Sequence, residues 1–128
     1  MSAPANAPTI SHIGQIAIIV KDVDRAVDFY QNKLGLPFLF RAGDLAFFQC
    51  GGTRLMLHKP SDPEFDHPGS ILYFSVSDIR EAYARMKSGG VEFRDQPHMI
   101  AKLPDHELWM TFFRDTEGNT LALMSEVR

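Results

Sequence analysis

The stretch that decides the fold is IGQIAIIVKDVDRAVDFY, residues 13–30, because the chain later repeats its pattern as ILYFSVSDIREAYARM, residues 71–86. In both copies an apolar run leads to an aspartate that opens an amphipathic pattern, so Asp22 corresponds to Asp78 and Gln15 to Ile71. Aspartate is a good helix N-cap there, because its carboxylate accepts from the free amides of the first helical turn. The repeat predicts one structural module used twice.

Each copy continues into three further predicted strands, so the module reads strand, helix, strand, strand, strand. In the first copy the strands are predicted at residues 13–20, 37–40, 45–50 and 54–58, with a helix that begins after Asp22 and ends at Gly35. In the second copy they are predicted at residues 70–76, 91–100, 107–113 and 119–125, with a helix over residues 79–87. The fold class expected from this order is α+β.

The composition of the chain suggests its domain boundaries. Residues 1–10 are small and polar with little to bury, which predicts a disordered N-terminal tail. Residues 60–69 hold three prolines including Pro60, together with two aspartates and a glycine, which predicts a linker rather than a central strand. We therefore expect one domain over residues 11–128, with the first module at 11–59 and the second at 70–128.

The bulk properties exclude several classes of function. The net charge of -3 and the absence of clustered basic residues argue against a nucleic-acid or anionic-membrane surface. No apolar run approaches the roughly 20 residues that a membrane span needs, and the first residues do not resemble a signal peptide, so we expect a cytoplasmic protein. Cys50 has no partner for an internal disulfide and is interpreted as a small buried apolar residue.

Together these motifs resemble the vicinal-oxygen-chelate superfamily, the group of glyoxalases, bleomycin-resistance proteins and extradiol dioxygenases. The features that carry the resemblance are KD at residues 21–22 followed by FY at 29–30, LGL at 34–36, the segment 78–90, and FRDTEGNTLAL at 113–123. The resemblance implies that the two βαβββ modules stand in tandem and form a curled, cup-shaped mixed sheet with the helices outside. It implies the fold more firmly than the reaction, because many chemistries share this scaffold.

Enzymes of that family hold a divalent metal with four side chains, one from the first and one from the last strand of each module. Carried over onto this chain, these positions are Gln15, Met56, Ile71 and Ala122. Of the four, only Gln15 has a donor atom that suits such a metal. We therefore expect no metal cofactor at the usual place, and a divalent ion only through a non-standard site.

The strand alternation predicts a cup lined mainly by apolar side chains. The ligand pocket is expected to contain Gln15, Ala17, Met56, His58, Ile71, Tyr73 and Ala122, with Ile19 and Ser75 on the same inward faces. The opposite faces, with Leu55, Leu57, Leu72, Phe74, Leu121 and Leu123, are expected to pack beneath the helices. Trp109 is interpreted either as a wall on which a ligand stacks or as a core residue packed against Phe112 or Phe113.

Three functions remain open from the sequence. The leading hypothesis is a metal-independent protein that binds a small apolar or aromatic molecule, resembling the bleomycin-resistance type. The alternative is a lyase, isomerase or dioxygenase of the superfamily with a displaced site, for which His58, His98 and His106 are the candidate catalytic residues. A third is an accessory module that binds a protein partner. The resemblance also implies a homodimer.

Overall fold

The computed structural model of the chain describes residue 8 and residues 10–128. The tail predicted for residues 1–10 therefore lies outside the described residues except at Pro8 and Ile10. Within the described part of the chain, no helix is long and apolar enough to cross a membrane.

The first module forms a four-stranded sheet covered by one helix. Its elements are β1 (Gln15–Ile19), α1 (Val23–Asp28), a π-helical turn (Phe29–Lys33), β2 (Phe38–Ala42), β3 (Leu45–Cys50) and β4 (Thr53–His58). Asp22 caps α1 as predicted, with its carboxylate accepting from the backbone N–H of Arg25 at 3.1 Å. Gly35 ends the helical segment with φ of 74°, a conformation that glycine adopts without steric cost. The strand order is β1-β4-β3-β2, with β1 and β4 parallel.

The second module repeats this arrangement. Its elements are β5 (Leu72–Ser75), α2 (Ile79–Ser88), β6 (Glu92–Phe93), β7 (His98–Lys102), β8 (Glu107–Arg114) and β9 (Thr120–Val127). Asp78 caps α2 just as Asp22 caps α1. The strand order is β5-β9-β8-β6, with β7 also paired to β8, and β5 runs parallel to β9. The predicted α+β fold of paired βαβββ modules is confirmed, and its two mixed sheets do not close on each other.

One strand prediction was wrong, because residues 91–100 form two short strands, β6 and β7, instead of one. The break lies at Asp95 and Pro97, where proline has no N–H to donate to a ladder. The carboxylate of Asp95 instead accepts from the backbone N–H of Phe112 at 2.9 Å and from the hydroxyl of Thr111 at 2.8 Å. The carboxylate of Asp95 thus accepts the backbone hydrogen bond from β8 that the backbone of a continuous strand would have accepted.

The core lies between the sheets and the helices and is shared by both modules. The largest wholly buried apolar side chains include Tyr30, Phe48, Leu55, Leu57, Phe113 and Leu121. Leu123 is 3% exposed, and Leu72 and Phe74 pack against the same cluster, as the strand alternation predicted. Because α1 and α2 cover only one face of each sheet, no α-helix within residues 10–128 covers the other face.

The turn between β8 and β9 fastens the second module to the first through Glu117. The carboxylate of Glu117 accepts from the backbone N–H groups of Lys21 and Asp22 and from Arg25 Nε, each at 2.8 Å. Burial raises the pKa of Glu117, but these three hydrogen bonds outweigh it and hold the pKa at about 2, below the usual value of 4.5. Glu117 is therefore ionised whenever the protein is folded near neutral pH.

Asp115, in the same turn, reaches into the core of the first module. Its carboxylate accepts from the hydroxyl of Tyr30 at 2.7 Å and from the backbone N–H groups of Glu117 and Asn119, both at 2.8 Å. The amide of Asn119 donates to the backbone carbonyl of Ile19 at 2.9 Å. Burial and the charge of Asp115 raise the pKa of Tyr30 well above its usual value, so the phenol stays a donor. We call Tyr30, Asp115, Glu117 and Asn119 the closed seam.

Candidate functional site

The face of the first sheet that α1 does not cover is the first part of the candidate site. On β1 it carries Gln15, Ala17 and Ile19, which alternate with the core residues Ile16 and Ile18. Gln15 and Ala17 are exposed, and Ile19 is half-buried. We call this surface, with its counterpart on the second sheet, the open faces.

Gln15 is held by its neighbours across the strand pair. Its side-chain carbonyl accepts from Arg54 Nε at 2.8 Å, and its amide nitrogen lies 3.6 Å from the sulfur of Met56. Arg54 also covers the ring of Phe47, with 5.2 Å between the guanidinium carbon and the ring centroid. The amide of Gln15 thus already has partners on the protein, and Met56 is its neighbour as the carried-over positions implied.

Phe47 and Phe40 form an aromatic surface on this open face that the sequence reading missed. Their rings stack with centroids 4.3 Å apart. Phe47 is 7% exposed although it lies outside the core cluster, and Phe40 is 45% exposed. The alternation of Ala46, Phe47 and Phe48 along β3 was the available signal, because only one of two adjacent phenylalanines can point into the core.

The open face of the second sheet is dominated by an aromatic pair over Ala122. In the ladders, Ala122 lies opposite Tyr73 on one side and Phe112 on the other. The two rings meet edge to face with centroids 5.8 Å apart, and Ala122 is 0% exposed. Tyr73 is 44% exposed and Ile71 45% exposed, so a large apolar surface faces solvent here. The sequence predicted only that Phe112 could pack against Trp109, and not that it would lie on the open face.

The divalent metal that the fold family implies does not fit these residues. Met56, Ile71 and Ala122 supply no oxygen or nitrogen donor, and the rings above Ala122 occupy the space over the fourth position. Over residues 10–128, no three His, Cys, Asp or Glu side chains are grouped closely enough to hold a metal ion. Gln15 is therefore the one residue of the four usual positions that could contact a divalent metal.

His58 lies at the far end of its strand from Gln15. In the parallel ladder Gln15 pairs with Arg54 and Ile19 pairs with His58. Four residues of strand correspond to about 13 Å, so the structure does not bring Gln15 and His58 together. The imidazole of His58 instead lies beside the ring of Phe65, with centroids 6.4 Å apart.

His98 and His106 lie at different places around the β7–β8 hairpin. His98 is exposed, with Nδ1 2.9 Å from the carbonyl oxygen of Gln96. His106 has a side chain only 16% exposed, with Nδ1 2.8 Å from the carboxylate of Asp105 and Nε2 4.0 Å from that of Glu126. Of the three candidate histidines, His106 alone stands between two carboxylates.

Trp109 lies on the helix-covered face of the second sheet, away from the open face. It packs against the shared core, and its indole N–H donates to Glu107 at 3.0 Å. The guanidinium carbon of Arg80, on α2, lies 4.9 Å from the ring centroid. This placement agrees with the core interpretation of Trp109, and it separates Trp109 from the other residues of the predicted ligand pocket.

Known proteins share this arrangement of modules. Residues 12–123 match the family model of the Glyoxalase/Bleomycin resistance protein/Dioxygenase superfamily. The chain belongs to this superfamily. The uncharacterized protein YetH of Bacillus subtilis (strain 168) is 30% identical over 124 residues, which cover 89% of this chain and 98% of YetH.

Solved structures of the superfamily resemble this chain closely in fold. A superfamily member from Sphaerobacter thermophilus DSM 20745 is 30% identical with a TM-score of 0.76, over 91% of this chain and 98% of its own. A lactoylglutathione lyase from Agrobacterium tumefaciens is 24% identical with a TM-score of 0.72, over 92% of this chain and 96% of its own. At that identity, the lyase shows the shared fold alone.

Proposed function

We propose that this member of the superfamily binds a small apolar or aromatic molecule on its open faces without a metal, as bleomycin-resistance-type binding proteins do. The observation that carries the proposal is the Tyr73–Phe112 pair closed over Ala122, at a position where the metal enzymes of the family place a ligand. Aromatic rings offer a ligand a large apolar contact with little loss of side-chain entropy.

The middle of the open faces holds apolar side chains such as Met56 and Ala122, which favours recognition by burial over chelation. Gln15 is already bonded to Arg54, whereas Tyr73 keeps its hydroxyl on an exposed ring. A pocket of this kind typically combines apolar walls with a small number of orienting polar groups. Tyr73 and Gln15 are the groups that would orient the ligand.

A second copy of the chain is the partner that would complete the pocket. The open faces leave Phe40, Ile71 and Tyr73 between 44% and 45% exposed, and exposed apolar patches of this kind mark association surfaces. In a homodimer, the open face of one chain would cover that of the other and enclose the ligand. Light scattering during size-exclusion chromatography at micromolar concentration is expected to give twice the 14.4 kDa of one chain. A mass of one chain would contradict the dimer.

Binding is tested with N-phenyl-1-naphthylamine, a neutral aromatic probe that fluoresces in apolar surroundings. We expect saturable binding that chelation by EDTA leaves unchanged and that Phe112→Ala weakens about tenfold, since truncation removes one ring of the pair. The matched control is Tyr83→Ala on α2, where the ring contacts Phe93 on the helix-covered side. The proposal fails if EDTA abolishes binding and one divalent ion per chain restores it, or if Phe112→Ala has no effect.

A displaced enzymatic site is the second candidate, and the surroundings of His106 favour it. Asp105 can orient the imidazole while Glu126 lies on its other side, an arrangement suited to proton transfer. Arg128 binds both carboxylates, at 3.0 Å and 2.9 Å, which holds the group together. If the protein is such an enzyme, His106→Gln abolishes turnover of its substrate while the neutral probe still binds. Unchanged turnover would exclude this candidate.

A further inference from the structure

The modules meet at a second place, and there they leave a cleft of about 540 Å³. The cleft lies between the loop after α1, the end of β3, the strand β5 and the helix α2. Its lining is mostly apolar and includes Leu34, Leu36, Cys50, Phe74, Met86 and Leu123. We call this space the seam cleft. It is on the helix side of the sheets and is therefore distinct from the open faces.

The internal repeat explains why the seam cleft is open. Tyr30 and Met86 correspond, since each stands eight residues after its capping aspartate. Tyr30 is wholly buried and reaches Asp115, whereas Met86 is half-buried and lines the cleft. The two turns that these residues face also differ in length. Tyr30 faces the turn of residues 115–119, because Arg114 pairs with Thr120. The corresponding turn at the seam cleft is shorter, because Cys50 pairs with Thr53 and only two glycines lie between them. Glycines bring no side chain to fill the space.

The mouth of the seam cleft is positively charged. The π-helical turn carries Lys33 to this mouth, where its side-chain methylenes lie beside Gly89, and α2 supplies Arg85 one helical turn before Gly89. Among the described residues that line the cleft, no side chain is a carboxylate, although Glu81 approaches Arg85 to 3.6 Å from outside it. The last carbonyls of α2 already accept from backbone N–H groups such as those of Gly89 and Val91.

We propose that the seam cleft binds a medium-chain alkyl carboxylate, with its chain between the modules and its head at Lys33 and Arg85. The volume falls in the range that encloses a small ligand. A flexible aliphatic chain suits the lining of leucine, methionine and valine, in which Phe74 is the single aromatic ring. Lys33 and Arg85 are two positive charges that complement one carboxylate head, on a protein whose net charge is -3. π-helical turns often occur at functional sites, which agrees with the position of Lys33.

The test uses decanoate as the probe and Cys50 as a built-in reporter, because it is the single cysteine and lines the cleft. The rate of alkylation by N-ethylmaleimide is followed by mass spectrometry at pH 9, since burial raises the pKa of the Cys50 thiol. Decanoate below its micelle concentration is expected to slow alkylation at least fivefold and saturably. Butyrate at the same concentration, which is too short to fill the cleft, is expected to leave the rate unchanged.

Two charge-reversed variants locate the head of the ligand. Arg85→Glu is expected to weaken decanoate binding about threefold, because one attraction becomes a repulsion that solvent screens at a side chain 80% exposed. Lys87→Glu is the matched control, since Lys87 lies on the same helix beside Tyr83 and outside the cleft lining. It is expected to bind decanoate as the natural chain does.

Calorimetry with Cys50→Trp gives a second measurement, because a filled cleft should no longer bind decanoate. The proposal is overturned if decanoate does not protect Cys50, if decanol protects it equally well, or if Arg85→Glu binds as well as Lys87→Glu. It is also overturned if Phe112→Ala removes decanoate binding, because the ligand would then occupy the open faces. Failure of the aromatic-probe experiment leaves these readouts unaffected, so the two proposals fail separately.

Discussion

The closed seam and the seam cleft are built from corresponding parts of one repeat, yet polar side chains fill the first and the second leaves an open cleft. The closed seam buries Asp115 and Glu117 to 7% and 9% exposure, with every carboxylate oxygen that joins the modules bonded to a donor. The seam cleft has Gly51 and Gly52 in the matching turn. We infer that the closed seam holds the two modules together. The residues around the seam cleft can then change without separating the modules.

Asp115→Ala gives the largest expected effect, because it removes the centre of the closed seam. The variant leaves the buried hydroxyl of Tyr30 and the backbone N–H groups of Glu117 and Asn119 without their acceptor. Buried donors without partners cost 1–3 kcal/mol each in typical cases, so we expect the free energy of unfolding to fall by about 3–5 kcal/mol. Urea denaturation followed by circular dichroism measures it.

Asp105→Ala is the control for this prediction, since Asp105 also accepts two hydrogen bonds but has a side chain that is 70% exposed. We expect it to change the free energy of unfolding far less than Asp115→Ala does, because solvent screens an exposed carboxylate. A similarly small change for Asp115→Ala would show that the modules are held together by the apolar core alone.

The fold was predictable from the chain because its decisive signals are local. The caps Asp22 and Asp78 and the alternation around Ile16 and Leu55 depend only on neighbouring residues, and the structure confirms the modules that they indicate. The split of the strand at residues 91–100 was missed because it depends on Asp95 meeting Phe112, a contact across strands that spacing does not reveal.

The candidate site was harder to predict because its features depend on pairing between strands. Alternation placed Tyr73 and Ala122 on one face, but the role of Phe112 requires the register of β8 against β9. The same register information separates His58 from Gln15. The seam cleft could not be foreseen, because it follows from how two distant turns meet.

The pH dependence of stability tests how much Glu117 contributes to the closed seam. The pKa of Glu117 is about 2 in the folded chain against a usual value of 4.5, so the folded state holds its proton less tightly than the unfolded state. Its contribution to stability is therefore complete above about pH 5 and is lost as the pH falls from 4.5 towards 2. We expect Glu117→Gln to cost about 2 kcal/mol at pH 7 and progressively less towards pH 2.

The measurement for Glu117 is urea denaturation of both chains at a series of pH values between 7 and 2. The difference between natural chain and variant isolates this one group, because the other carboxylates titrate in both. A difference that stays constant over the whole range would mean that Glu117 is not held ionised by Arg25 and the amides of Lys21 and Asp22.

The smallest effect is expected at the turn beside the seam cleft. Gly51 has φ of 58°, where a Cβ atom is strained, and a Cβ built there meets no atom within 4 Å. Gly51→Ala should therefore cost only the backbone term of about 1–2 kcal/mol. Gly118→Ala, at φ of 84° between Glu117 and Asn119, should cost more, because strain there also displaces the bonds of the closed seam. Thermal and urea unfolding of the two variants compare the turns directly. Equal losses would mean that strain at Gly118 does not reach the hydrogen bonds of the closed seam.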